Sequence, residues 1–282
     1  MNPKTYNCSI AALSIALLLF LVPLSGIAQA GHGSKDGPVP ACTTISAPGV
    51  YTLTKNLSTA SGDCLDVKAS FVTIQLSGFS ITGGGEQVVG AGIKSVGPQT
   101  AITILGPGEI TLFGTAIDLS STTDAKILET TEEFNGNGVL TGASCKLIDN
   151  IVHNVDFGNG VSTGSSCLLK ENVISGVSGT CLAFGSSCVV VQNSVSSCGQ
   201  GIQVGGTGNN LDENTANFNN TDGIDANIQS GNTLVANTAD NNTSAGINVL
   251  CPSNLTTNTA VGNATNLAGS NATCALNGNL TP

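Results

Sequence analysis

One asparagine returns six times between Gly138 and Ala260, and its spacing limits what the chain can fold into. The copies are Asn150, Asn172, Asn193, Asn214, Asn237 and Asn258, at intervals of 22, 21, 21, 23 and 21 residues. An aliphatic residue stands three places before each copy (Leu147, Leu169, Val190, Leu211, Leu234, Leu255). A small apolar residue stands two places after (Val152, Ile174, Val195, Ala216, Ala239, Ala260). A further column opens each unit, usually after Gly: Val139, Val161, Leu182, Ile202, Ile224 and Ile247. A period of this length marks stacked units, none of which buries its own apolar face.

The residues inside one unit decide what is stacked. A helical repeat needs apolar spacings of three and four in runs of good helix formers. Here the runs are short, as in Gly-Ile-Gln-Val (201–204) and Gly-Ile-Asn-Val (246–249), and alternate with period two between Gly, Asn, Ser and Thr. That pattern predicts three short strands per turn, stacked into continuous parallel sheets. The Asn column fits a tight corner, because Asn tolerates left-handed backbone and its amide both donates and accepts. The six amides are therefore expected to form a ladder, each bonded to the next turn's copy.

The Leu-x-x-Asn-x-Ala units alternating with Gly-Ile-x-Val resemble the right-handed parallel β-helix proteins of the pectate-lyase-like superfamily, and in particular the NosD-type repeats. The resemblance implies an all-β, single-stranded, right-handed parallel β-helix of about nine coils with caps at both ends. It carries little about activity, because the matching residues are scaffold.

Residues 1–30 read as a secretory signal peptide: Lys4, an apolar core over 10–22, and Ala28-Gln29-Ala30 as cleavage site. A flexible leader containing His32 is expected at 31–41, an N-terminal cap at 42–64, the coils at 65–270, and a C-terminal cap and tail at 271–282. The segments Gly83–Gly92 and Glu129–Asn137 depart from the pattern and read as surface loops. Lys4 leaves with the signal peptide, which takes the net charge from −10 to −11; the chain has no Arg, and no Lys, Arg or His follows Lys170. Phosphate backbones and anionic membranes are held by Lys and Arg, so neither nucleic acid nor a membrane surface is an expected partner after signal cleavage.

Nine of the ten cysteines lie beyond the signal, in an exported chain where disulfides form. Cys42–Cys64 and Cys251–Cys274 are expected to staple the two caps, with Cys181–Cys198 as a third pair. Cys145, Cys167 and Cys188 share one column. They read either as small buried packing residues or as soft ligands for copper, a metal that the NosD resemblance brings in.

The lyases of the superfamily use an Arg or Lys base with carboxylate-held Ca²⁺. Its hydrolases carry Asn-Thr-Asp, Asp-Asp, Gly-His-Gly and Arg-x-Lys motifs, none of which occurs here. His153 is the one histidine within the coils. Glu129, Asp149, Glu171 and Glu213, with Gln192 between, share the column just before the Asn corner. Stacked carboxylates would raise a pKa or recruit Ca²⁺, or form a solvated stripe; Glu129, Asp149 and Glu171 are the catalytic candidates. A second outward column, Asp66, Lys94, Asp118, Ser162, Gln203, Asp225 and Asn248, reads as solubilising surface. Two functions follow. One is a secreted, periplasmic or cell-surface scaffold, without cofactor, binding an extracellular polysaccharide or cell-surface component. The other is a polysaccharide lyase, hydrolase or epimerase using the acidic stripe.

Overall fold

The structure is a computed structural model and describes residues 36–85, 89–269 and 273–281. The expected signal peptide, His32 and residues 86–88 of the Gly83–Gly92 segment lie outside the described residues. Short alternating runs give strands of two to five residues, gathered into parallel sheets of twelve, eight and eleven strands that each circuit visits in turn. A two-stranded ladder, Gln99–Thr100 with Thr122–Thr123, adds a small fourth sheet.

Register brings the repeated residues together. The first sheet stacks Ile104, Ile127, Leu147, Leu169, Val190, Leu211, Leu234 and Leu255 in one inward, solvent-free column. The third sheet does the same with Ile93, Ile117, Val139, Val161, Leu182, Ile202, Ile224 and Ile247. The residue before each of these is buried as well, as in Ala91–Ser95, Asn137–Thr141 and Gln200–Val204. Only a small side chain fits there, which explains the glycines: a Cβ on Gly138 would collide with the Gly160 carbonyl, and one on Gly201 with that of Gly223.

The Asn ladder closes the corner between the first and second sheets. Each Nδ2 donates to the Oδ1 one turn on, at 2.9–3.0 Å from Asn150 through Asn258 and finally to Asn279, a seventh rung. The same Nδ2 also reaches a carbonyl of the preceding turn, such as Leu147 O from Asn172 (3.0 Å) and Leu169 O from Asn193 (2.9 Å). Each Oδ1 accepts a backbone N–H besides. The residue before each Asn has left-handed backbone, with φ of 56° at Asp149, Glu171 and Gln192, and 54° at Glu213. That conformation costs about 1–2 kcal/mol in a non-glycine residue, and the satisfied corner offsets it.

The other corners use the same device with different atoms. Between the second and third sheets, Asn219 bonds to Asn242 (2.9 Å) and Asn242 to Asn263 (3.0 Å). Between the third and first, backbone N–H groups donate down a mixed column: Cys145 to Cys167 Sγ (3.2 Å), Cys167 to Cys188 Sγ (3.4 Å), Cys188 to Asn209 Oδ1 (2.8 Å), Asn209 to Asn232 Oδ1 (3.0 Å) and Asn232 to Ser253 Oγ (3.3 Å).

Several boundaries differ from those expected. Gly37–Val39, inside the stretch read as a flexible leader, is a strand paired with Tyr51–Leu53. The 42–64 segment is wound as a turn, its Thr43–Ile45 pairing with Leu65–Val67. At the other end Ala275–Asn277 pairs with Asn254–Thr256. These pairings show that the winding starts before residue 42 and that a paired strand follows residue 271. The 129–137 segment is not a loop: Thr131–Asn135 is a strand of the second sheet between Glu109–Thr111 and Ile151–Val155. Glu132 occupies the inward column there, between Ile110 and Val152, and a carboxyl at that position hid the alternation.

Candidate functional site

With three inward columns given over to packing, chemistry is confined to outward columns, corners and insertions. The acidic corner comes first. Glu129, Asp149 and Glu213 are exposed and Glu171 half-buried, one per turn. Lys170 Nζ lies 3.1 Å from Glu171 Oε1, and Gln192 Nε2 donates to Glu213 Oε2 at 2.8 Å. Among the described residues no three His, Cys, Asp or Glu side chains are grouped to hold a metal ion, so neither the stripe nor the Cys column offers a convergent cage.

The outward column of the third sheet is organised further. Asp66, Lys94 and Asp118 stack on consecutive turns. Asp63, just outside the column, turns back so that its Oδ2 lies 3.1 Å from Lys94 Nζ, while its Oδ1 accepts the Ala91 N–H at 2.7 Å. Asp118 is oriented by Ser120, whose hydroxyl and N–H donate to Oδ1 at 2.7 and 3.2 Å. Asp63, Lys94 and Asp118 line a cleft of about 310 Å³ with Gly62, Val89, Gly90, Ala91 and Thr115. The hydrogen bond to Asp63 raises the Lys94 pKa above its ordinary value; partial burial opposes this, and the charges of Asp63, Asp118 and Asp66 add to the rise. Lys94 is thus a fixed cation, shifted away from the range of a general base. Further along the wall Asp225 accepts from Gln200 Nε2 (2.8 Å), and Asp222 from Asn248 Nδ2 (3.2 Å). Burial pushes the Asp225 carboxyl up.

His153 stands on the outward column of the second sheet between Glu133 and Ser175. Neither it nor the Lys94 cleft adjoins the Glu129/Asp149/Glu171 corner in register. Asp63 escaped sequence reasoning because it belongs to no column. The one available signal was Lys94, a cation set between Asp66 and Asp118 one period to either side.

Four disulfides clip neighbouring turns: Cys42–Cys64, Cys145–Cys167, Cys181–Cys198 and Cys251–Cys274. Three are the pairs expected from the sequence. Cys145–Cys167 joins two cysteines read as packing residues or copper ligands; stacking places their Cα atoms 4.5 Å apart, within disulfide reach. Cys188, below them, stays buried as a free thiol whose pKa burial pushes up.

No curated protein matches the sequence. Among solved structures, the Dettilon tailspike protein aligns with 86% of this chain and 61% of its own at 13% identity and a TM-score of 0.64. A double mutant of the periplasmic alginate epimerase AlgG aligns with 79% of this chain and 64% of its own, at 12% identity and TM-score 0.56. The A-module of the Azotobacter vinelandii mannuronan C-5 epimerase AlgE6 aligns with 88% and 89%, at 13% and 0.53. At such identities the likeness is one of fold, and the chain spans about three-fifths of the tailspike and AlgG chains it matches. The family described as "Right handed beta helix region" matches residues 115–265, more than half of the sequence, and the chain belongs to that family.

Proposed function

We propose that this chain is an exported, non-catalytic β-helix scaffold that binds a glycan along the outer wall of its third sheet, with the Lys94 cleft as the anchor. The observation that carries the reading is the Lys94–Asp63 ion pair with Asp118 in the same cleft, held on consecutive turns of a rigid wall. Such a cluster presents donors and acceptors at a spacing of about 4.8 Å, a preorganised surface for hydroxyl-bearing ligands. A cation with a raised pKa serves binding rather than proton abstraction. Four disulfides agree with export to an oxidising compartment. Two of the matched structures are named as epimerases of alginate or mannuronan, which agrees with a carbohydrate ligand. The net charge of −10 opposes polyanions, so the preferred ligand is a neutral polysaccharide.

Calorimetric titration of neutral and acidic oligosaccharides tests this. Binding is expected for a neutral glycan and should weaken at least ten-fold in Lys94→Met and Asp63→Asn. Unchanged affinity in both variants would remove the cleft from the reading. The enzymatic alternative rests on Glu129, Asp149 and Glu171 standing one turn apart on an exposed corner. A new unsaturated or epimerised product, abolished by Asp149→Asn, would replace the scaffold reading.

A further inference from the structure

The first sheet turns outward a wall that the glycan reading does not use, and its charges are sorted by column. On neighbouring turns Lys126 stacks on Lys146, and Leu128 on Ile148. These residues alternate with the inward Ile127 and Leu147, so all four face out. Glu129 and Asp149 follow directly, at the corner that bounds the wall, and both are exposed. Each of these two turns therefore presents a cation, an aliphatic side chain and an anion in that order, over about 10 Å.

None of these charges is neutralised within the chain. Among the described residues the ion pairs are Lys94–Asp63 and Lys170–Glu171; Lys126, Lys146, Glu129 and Asp149 take part in neither. Like charges stacked on one face cost stability, and here a positive and a negative stack stand side by side. Every lysine beyond Lys94 belongs to this wall: Lys126, Lys146 and Lys170. A chain of net charge −10 thus keeps its later cations together, unpaired on two turns, beside an unpaired acidic column.

The arrangement is complementary to itself. A second copy can face the first about a two-fold axis parallel to the stack of turns. Its order across the wall is then reversed, while its turns keep their heights. Lys126 meets Glu129 of the second copy, Lys146 meets Asp149, and the Leu128 and Ile148 columns meet their own copies on the axis. On the next turn Lys170 would meet its own copy. It is the one lysine of the three that is already neutralised, by Glu171 at 3.1 Å. An antiparallel pair would instead set lysines against lysines.

We infer that the first-sheet wall is the interface of a parallel, side-by-side dimer of this chain, closed by Lys126–Glu129 and Lys146–Asp149 pairs across an aliphatic seam. The inference is independent of the glycan reading, because the third-sheet wall with its Lys94 cleft stays open. It also gives Glu129 and Asp149 a role that needs no catalysis. The seam runs over the five turns from Leu105 to Val191. That is a patch of roughly 350 Å² on each copy, less than half of a standard-size interface, so the dimer is reversible.

Sedimentation equilibrium up to about 1 mM protein tests it on wild type and two charge-reversed variants. One carries Lys126→Glu with Lys146→Glu, the other Glu129→Lys with Asp149→Lys. Either variant alone sets like charges across the seam, and its dimer should weaken at least ten-fold. An equimolar mixture restores every pair and should dimerise as wild type does. The swap within one chain, Lys146→Asp with Asp149→Lys, keeps its pairs in reversed polarity and should also dimerise. A wild type that stays monomeric or forms a trimer would overturn the inference. So would variants that dimerise alone as wild type does, or a mixture that stays monomeric while circular dichroism shows both partners folded.

Discussion

Glu132 offers the most quantitative test of how this solenoid is held together. Its side chain is fully buried in the inward column of the second sheet, with aliphatic residues above and below. Neither carboxyl oxygen has a hydrogen-bond partner. Thr130, near enough to lower the pKa slightly, gives its hydroxyl proton to Asn150 Oδ1 instead (2.8 Å). Burial dominates and pushes the Glu132 pKa from 4.5 up to about 8. The folded chain therefore keeps a proton that the unfolded chain releases, and stability must fall as pH rises between those values. Each pH unit in that window removes about 1.4 kcal/mol, so the loss is about 3 kcal/mol by neutral pH and about 5 kcal/mol once the group ionises in the fold. Below the unfolded pKa the loss disappears.

Glu132→Gln removes the titration and nearly keeps the shape, so its stability relative to wild type should climb by about 1.4 kcal/mol per pH unit across the window. Glu132→Val continues the apolar column and should stabilise the neutral-pH protein by about 1–4 kcal/mol. Urea unfolding followed by circular dichroism from about pH 5 to about pH 9 reads both, the wild-type-to-variant difference cancelling the other carboxylates. A difference that stays flat over that range, or a Val variant weaker than wild type at neutral pH, would refute the claim that an unpartnered carboxyl is forced to stay protonated in the core.

The ladder and the cysteines give two more expectations. Asn193→Ala leaves the Asn172 amide and its backbone N–H, the Leu169 carbonyl and Asn214 Oδ1 short of a partner; it should cost about 3–5 kcal/mol, against about 1 kcal/mol for Asn279→Ala at the end rung, and equal costs in denaturant unfolding would contradict a cooperative ladder. Cys167 stacks between Cys145 and Cys188 with the same one-turn register on both sides, so Cys145→Ser should oxidise to a Cys167–Cys188 bond; peptide mapping without reductant that finds two free thiols would show that the column does not place Cys188 within reach.

What was legible in the sequence is what the fold must repeat. Leu147 through Leu255 had to be aliphatic on every turn because each packs against its own copy, and Gly138, Gly201 and Gly223 had to stay small because a carbonyl of the next turn fills the space. The third corner was legible only in part as a residue column, at its three cysteines, because what recurs along it is an acceptor atom. Cys145, Cys167, Cys188, Asn209, Asn232 and Ser253 follow the same intervals as the Asn ladder, 22, 21, 21, 23 and 21, and sulfur, amide oxygen and hydroxyl each take the N–H of the turn before. Read by atom, the three stacked cysteines belong to architecture, and the copper reading loses the pattern that prompted it. The converse applies to function: a residue that a repeat does not require has to be explained by something else. Asp63, Lys94 and Glu132 break their columns or stand outside them, and all fall before Gly138, where the pattern becomes strict. A scaffold-only chain would have no reason to gather its irregularities on neighbouring turns, so substitutions in this stretch, rather than in the regular coils after it, should separate binding from folding.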